Sequence, residues 1–198
     1  MLMHLHTFAG MAKVPTFSLN IIILLFIAIS LPTNSQEFPT KGEMQQRSEQ
    51  QTDHLHFYFH TILRGPNTSA VVVAQAATTN TYRTRFGEVV MFDNRLTEGP
   101  DPSSRVVGRA QGMYAYTDMS VTGLLMVCNY LFTEGKFNGS TLAVMGRYPP
   151  RADEIEMSIV GGTGQFRSVG GLVRVAELVN DWERGVDVDE HDVYITYR

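Results

Sequence analysis

The sequence predicts an all-β fold, a sandwich or a closed barrel around a small apolar pocket. Three observations predict it. From residue 55 onward the chain is a series of short runs rich in Val, Ile, Phe and Tyr. Clusters of Gly, Pro, Asn and Asp separate those runs, as turns do. No window carries an apolar stripe at helical period.

Taken in order, strands are expected over 55–63, 69–77, 87–93, 106–115, 122–132, 140–147, 154–160, 172–178 and 193–197. The first alternates, with Leu55, Phe57 and Phe59 against His56, Tyr58 and His60. So does the seventh, with Ile155, Met157 and Ile159 against Glu154, Glu156 and Ser158. Alternation at period two marks a strand with one buried face. The second, Val71-Val72-Val73-Ala74, is apolar on both faces and suits a core inside and a partner subunit or second layer outside. Closure into a barrel removes exposed sheet edges, a hazard for a long-lived extracellular protein. The turns are Gly65-Pro66-Asn67, Glu98-Gly99-Pro100-Asp101-Pro102, Gly135, Gly139, Pro149-Pro150, the glycines over 161–164 and Gly170-Gly171.

The strands make up one domain, 54–198, behind a polar lead-in over 36–53 and a leader over 1–35. The leader has the three-part layout of a secretory signal: Lys13, an apolar run over 21–29, then Pro32-Thr33-Asn34-Ser35. That run is too short to span a bilayer, and Met11 opens a better-proportioned signal than Met1. Secretion into the extracellular space is therefore expected, with no membrane association after signal removal. The chain has 16 basic and 20 acidic residues; removing Lys13 leaves 15 and 20, a net of −5 after the leader. No Lys/Arg-dense run exists, which argues against nucleic acid as a partner. Cys128 is the single cysteine, so no intrachain disulfide forms. Asn67-Thr68-Ser69 and Asn138-Gly139-Ser140 fit the glycosylation pattern inside turn segments.

Several constellations invite chemistry. His54-x-His56-x-x-x-His60 resembles a metal site, but His56 and His60 lie about 13 Å apart along a strand. No Cys or Glu completes a set, so no metal is expected. The Gly161-Gly162-Thr163-Gly164 cluster lacks the Lys-Ser/Thr and helix of a phosphate loop and reads as a tight turn. No nucleotide or other cofactor is implied. Asp93, Asp118 and Asp153 adjoin strand ends, where Asp serves as acid, base or turn former. Arg109, Gln111, Tyr114 and Tyr116 line a pocket by alternation, or form an exterior polar stripe.

The order of motifs is specific. Leu55-His56-Phe57-Tyr58-Phe59-His60 is followed by Phe86-Gly87 and by Asp93-Asn94-Arg95-Leu96-Thr97-Glu98-Gly99-Pro100. Then come Val107-Gly108-Arg109-Ala110-Gln111-Gly112 with Tyr114, Phe137-Asn138-Gly139-Ser140-Thr141-Leu142, and Val160-Gly161-Gly162-Thr163-Gly164-x-Phe166-Arg167. This series closely resembles the plant dirigent family over residues 55–197. The resemblance implies a closed antiparallel eight-stranded β-barrel, shared with allene-oxide-cyclase-like folds. It implies a homotrimer or homodimer, secreted to the apoplast and glycosylated. It also implies an auxiliary role without an oxidative centre, in lignan, phenylpropanoid or cell-wall metabolism. There a laccase or peroxidase makes phenoxy radicals from monolignol-type phenols, and the barrel orients their coupling.

Where lignan-forming relatives carry Asp, Asp and Arg, this chain has Thr61, Gln165 and Gly170. Thr and Gln hydrogen-bond but are no general base near neutral pH. The resemblance therefore implies a divergent member with a weakly charged pocket. Residues over both arguments that are expected at the pocket are His60, Thr61, Asp93, Arg109, Tyr114, Gln165 and Phe166. Two alternatives stand beside radical coupling. One is a cyclase or dehydratase working through a quinone methide, which needs an acid pointing inward. The other is a defence-related carbohydrate or small-molecule binding module.

Overall fold

The computed structural model describes residues 52–181 and 183–198. The leader and nearly all of the polar lead-in lie outside them; Thr52 and Asp53 of the lead-in already belong to the first strand.

Each expected run meets one strand. In chain order they are β1 (Thr52–Ile62), β2 (Ala70–Gln75), β3 (Glu88–Thr97), β4 (Val106–Tyr116), β5 (Leu124–Phe132), β6 (Thr141–Tyr148), β7 (Ile155–Thr163), β8 (Val169–Asp181) and β9 (Val186–Tyr197). All pairings are antiparallel, in the order β1-β9-β8-β7-β6-β5-β4-β3, and β3 returns to β1. That ring is the eight-stranded barrel. β2 is the ninth strand and shares one edge of β3 with β1.

The seams differ in length. β1 and β9 pair continuously from Thr52↔Thr196 to Ile62↔Val186. β1 and β3 pair only at Tyr58↔Thr97, Phe59↔Leu96 and His60↔Arg95. Beyond them β1 and β2 diverge, and side chains bridge the gap. Ser69 Oγ accepts the Ile62 N–H at 2.9 Å and donates to Asn94 Oδ1 at 2.5 Å. Asn94 Nδ2 donates to Thr61 Oγ1 at 2.8 Å.

Alternation decides the rest. Phe57, Phe59, Phe92, Leu96, Met126, Tyr130, Leu142, Met157, Val173 and Ile195 fill the interior. One end is plugged by aromatic rings: Phe166 lies 5.4 Å from Phe132 and 4.6 Å from Phe137, centroid to centroid. Burying each such side chain contributes about 1.5–3 kcal/mol, enough to hold a fold without disulfides. Gly161, Gly162 and Thr163, expected as a tight turn, instead continue β7 and pair with Ala143, Leu142 and Thr141; Gly162 abuts Phe166 of the 3₁₀ turn that follows.

Several strands run longer than expected, and two of these departures share one reason. β9 begins at Val186, not 193, and β8 runs to Asp181, not 178. The added residues include Asn180, Asp181, Asp187 and Asp189. Acidic residues are disfavoured in strands, so sequence reading ends the strands short of them.

Candidate functional site

The open end of the barrel holds a small cavity of about 60 Å³ that opens to solvent through its mouth. Its walls are aromatic: Phe59 from β1, Phe92 from β3, Tyr114 and Tyr116 from β4, and Tyr148 from β6. Leu63, Leu124, Met126 and Pro150 complete the apolar lining. The polar lining is Thr61, Asn94, Asn180 and three carboxyl groups, Glu177, Asp187 and Asp189. Among the described residues, no Lys, Arg or His lines it.

This corrects the expectation of a weakly charged pocket. The acids arrive from β8 and β9, on positions facing inward. Val193 and Ile195 are fully buried and face the interior, so Asp187, Asp189 and His191 share their side of β9 by period two. Asp189 is 4% exposed. Tyr148 ties the cluster together: its hydroxyl oxygen lies 3.1 Å from Glu177 Oε1 and 3.0 Å from Asp189 Oδ2. A phenol has one hydrogen and donates to only one of them. The second contact becomes a hydrogen bond when a protonated Asp189 donates to the phenol oxygen. Asp189 Oδ1 and Asp187 Oδ1 are buried and have no protein partner.

The electrostatics agree with that geometry. Desolvation, then the neighbouring Asp187, hold the Asp189 carboxyl well above the usual range. Desolvation, then Glu177, push Asp187 up to about 6. Burial drives the Tyr148 phenol upward, so it stays protonated. A pair of carboxyl groups held above their normal range, one neutral and one ionising near 6, can give and take protons close to neutrality.

Below the acids lies a second buried network. His191 Nδ1 and the Tyr130 hydroxyl are hydrogen-bonded at 2.9 Å, and the imidazole ring stacks on Phe59 at 5.0 Å. Burial lowers His191 to about 3, so the ring is neutral. Cys128 is buried and its thiol is pushed up to about 12 by burial, as for inert filler.

The residues expected at the pocket separate by strand parity. Thr61 and Tyr114 line the cavity. His60 follows Phe59 and precedes Thr61, so it faces the other way; it is buried under the loop after β3, with Nε2 2.6 Å from Thr97 Oγ1. Asp93 and Arg109 point outward and pair with each other at 2.6 Å. Gln165 is exposed and Phe166 is part of the plug at the opposite end. Gly170 also belongs there, close to the Arg198 guanidinium. Asp118 caps its own loop, accepting the Ser120 N–H at 2.9 Å. Among the described residues no three metal-binding side chains converge. His54 and His56 instead meet Asp192 at 2.7 Å and Glu190 at 2.8 Å on the outer surface.

Comparison with known proteins bears on both fold and site. A family model described as "Dirigent-like protein" matches residues 52–196. Dirigent protein 11 of Arabidopsis thaliana is 44% identical over 177 residues, covering 88% of each chain. Pterocarpan synthase 1 of Glycyrrhiza echinata is 36% identical over 186 residues, covering 93% of this chain and 98% of that one. A solved pterocarpan synthase dirigent protein superposes with a TM-score of 0.68 at 38% identity, covering 77% of this chain and 88% of the other.

Proposed function

The chain belongs to the dirigent family, and from that premise we propose that its barrel holds a phenolic substrate and catalyses a stereoselective dehydration and ring closure through a quinone methide. The observation that carries this reading is Asp189, a buried acid bonded to Tyr148 beside an aromatic-walled cavity. The pterocarpan synthases among its relatives lend it further support.

The proton balance closes. Protonated Asp189 gives its proton to the benzylic oxygen of a hydroxybenzyl alcohol. The C–O bond breaks, water leaves, and the phenolic proton passes to the Asp187 carboxylate. The resulting quinone methide lies among Phe59, Phe92 and Tyr116. An internal hydroxyl adds to the methide carbon and its proton returns to Asp189. Asp187 returns the other proton to the phenol oxygen as the ring regains aromaticity. The net change is loss of one water. Fixed orientation of the hydroxyl toward one face sets the product's handedness.

Activity in this scheme needs Asp187 ionised and Asp189 protonated. The kcat/KM profile is expected to rise through about pH 6, where Asp187 loses its proton, and to fall at higher pH with Asp189. Asp187→Asn should remove the acidic limb. An acidic limb unchanged in the variant would assign it to another group.

The second reading is orientation of phenoxy radicals made by a separate laccase or peroxidase, for which the stacked aromatic walls provide the surface. Chiral chromatography of products made with and without a one-electron oxidant separates the two. Optically active product without oxidant supports the dehydratase; optical activity only with oxidant supports radical coupling.

Secretion to the apoplast and glycosylation belong to the same proposal. Asn67 and Asn138 are both exposed in turns, accessible to a glycan. The outer face carries a register row of apolar side chains, Val71↔Met91↔Met113↔Val127↔Met145, which supports contact with further copies of the chain. Met113→Glu is expected to yield a monomer by light scattering.

A further inference from the structure

We propose that the pocket selects a phenol bearing a protonated amine, with the ammonium against Glu177, Asp187 and Asp189 and the ring among Phe59, Phe92 and Tyr116. This rests on the reading of the cavity as a phenolic site and names the class of phenol it takes.

Donor supply carries the inference. Three carboxyl groups line the cavity and, among the described residues, no cationic side chain does. Asp187 Oδ1 and Asp189 Oδ1 are buried with no protein donor. Tyr148 offers one hydrogen to two carboxyl groups. Arg151 reaches Glu177 only through its backbone N–H, at 3.2 Å. Arg85 lies in a separate cleft behind Tyr114 and is paired with Glu88.

An orphaned acceptor beside a cavity is satisfied by whatever enters it. A neutral phenol or alcohol brings one donor per hydroxyl; an ammonium brings three and a full charge. Its charge also meets the negative faces of the aromatic walls. A metal ion would require ligands converging on one point, which the described carboxyl and imidazole groups do not do. The spread of these acids suits a donor whose hydrogens diverge.

The groups facing Asp189 are Asp187 and His191 on its own strand, Glu177 on β8, Tyr148 on β6 and Tyr130 on β5. His191 is neutral above about 3. Asp187, pushed up to about 6, is thus the group that titrates against the ligand in mild acid. An ammonium favours its ionised form, so affinity rises with pH and binding near pH 6 releases protons.

Calorimetric titration of the full-length mature protein with 4-(2-aminoethyl)phenol and with 4-(2-hydroxyethyl)phenol tests this. At pH 7.5 the amine is expected to bind at least tenfold more tightly than the alcohol, with the ratio shrinking toward pH 5. Glu177→Gln should reduce the ratio, with circular dichroism of the same variant showing that the barrel is folded. Equal affinities at pH 7.5, or an amine that binds more weakly, would overturn the proposal. Amine selection without turnover of any benzylic alcohol would instead overturn the dehydratase and leave the selection standing.

Discussion

Asp189→Asn is expected to reduce turnover by about 10²–10⁴-fold, the usual worth of a positioned general acid, and at the same time to raise the melting temperature at pH 7.5. The amide keeps the shape and still donates to Tyr148, but cannot release a proton to substrate. The gain in stability follows from proton linkage. Asp189 holds its proton more tightly folded than unfolded. Its contribution to stability is therefore complete below the unfolded value and is lost as pH rises through the folded value. The variant escapes that loss, so its advantage should be several degrees at pH 7.5 and near zero at pH 4. His191, lowered to about 3 by burial, has the opposite linkage between about 3 and its unfolded value. It is common to both proteins and cancels in the difference. Thermal melts at both pH values, beside single-turnover kinetics, check the claim. Equal melting temperatures across the range would show that Asp189 is not an uncompensated buried acid. Stability given up at a reacting group is a common cost of function.

Gly162→Ala is expected to be the most damaging change in the glycine cluster, whereas Gly161→Ala next to it is harmless. A Cβ on Gly162 would lie 2.6 Å from the Thr141 carbonyl oxygen and 2.7 Å from that of Phe166. Both belong to backbone and cannot swing aside. A Cβ on Gly161 meets nothing within 4 Å. The first substitution should cost about 3 kcal/mol, the upper end of overpacking effects, and lower the melting temperature by about 10 °C. The second should be neutral, or stabilising by up to about 1 kcal/mol through the unfolded chain. Differential scanning calorimetry of the two variants decides it; equal effects would mean that the C-terminal end of β7 relaxes freely.

The glycine cluster was legible in the sequence because backbone crowding leaves a compositional trace. Strand identities were legible for the same kind of reason, since Phe57/Phe59 and Met157/Ile159 alternate with polar neighbours. The acids were not. Val186-Asp187-Val188-Asp189 also alternates, but ordinary patterning assigns its charged side to water. The signal that inverts this reading is parity: Val193 and Ile195 set the inward side of β9, and Asp187 and Asp189 are an even number of residues before them. His60 and Thr61 illustrate the same rule from the other direction. As chain neighbours in one strand they face opposite ways, so family motifs alone cannot place both at the cavity. What propensity obscures here is the functional element itself, as expected where local preference yields to chemistry.

The long seam between β1 and β9 has a consequence for the order of events during synthesis. The first barrel strand to leave the ribosome pairs along its whole length with the last. Until β9 emerges, β1 has only its three-residue seam with β3 along the rest of the barrel wall. Asp187 and Asp189 lie on β9 itself. A chain that lacks β9 therefore possesses most of the aromatic walls but neither aspartate. Chemical competence and completion of the barrel arrive together, so an unfinished chain offers no half-built acid site to a reactive phenol.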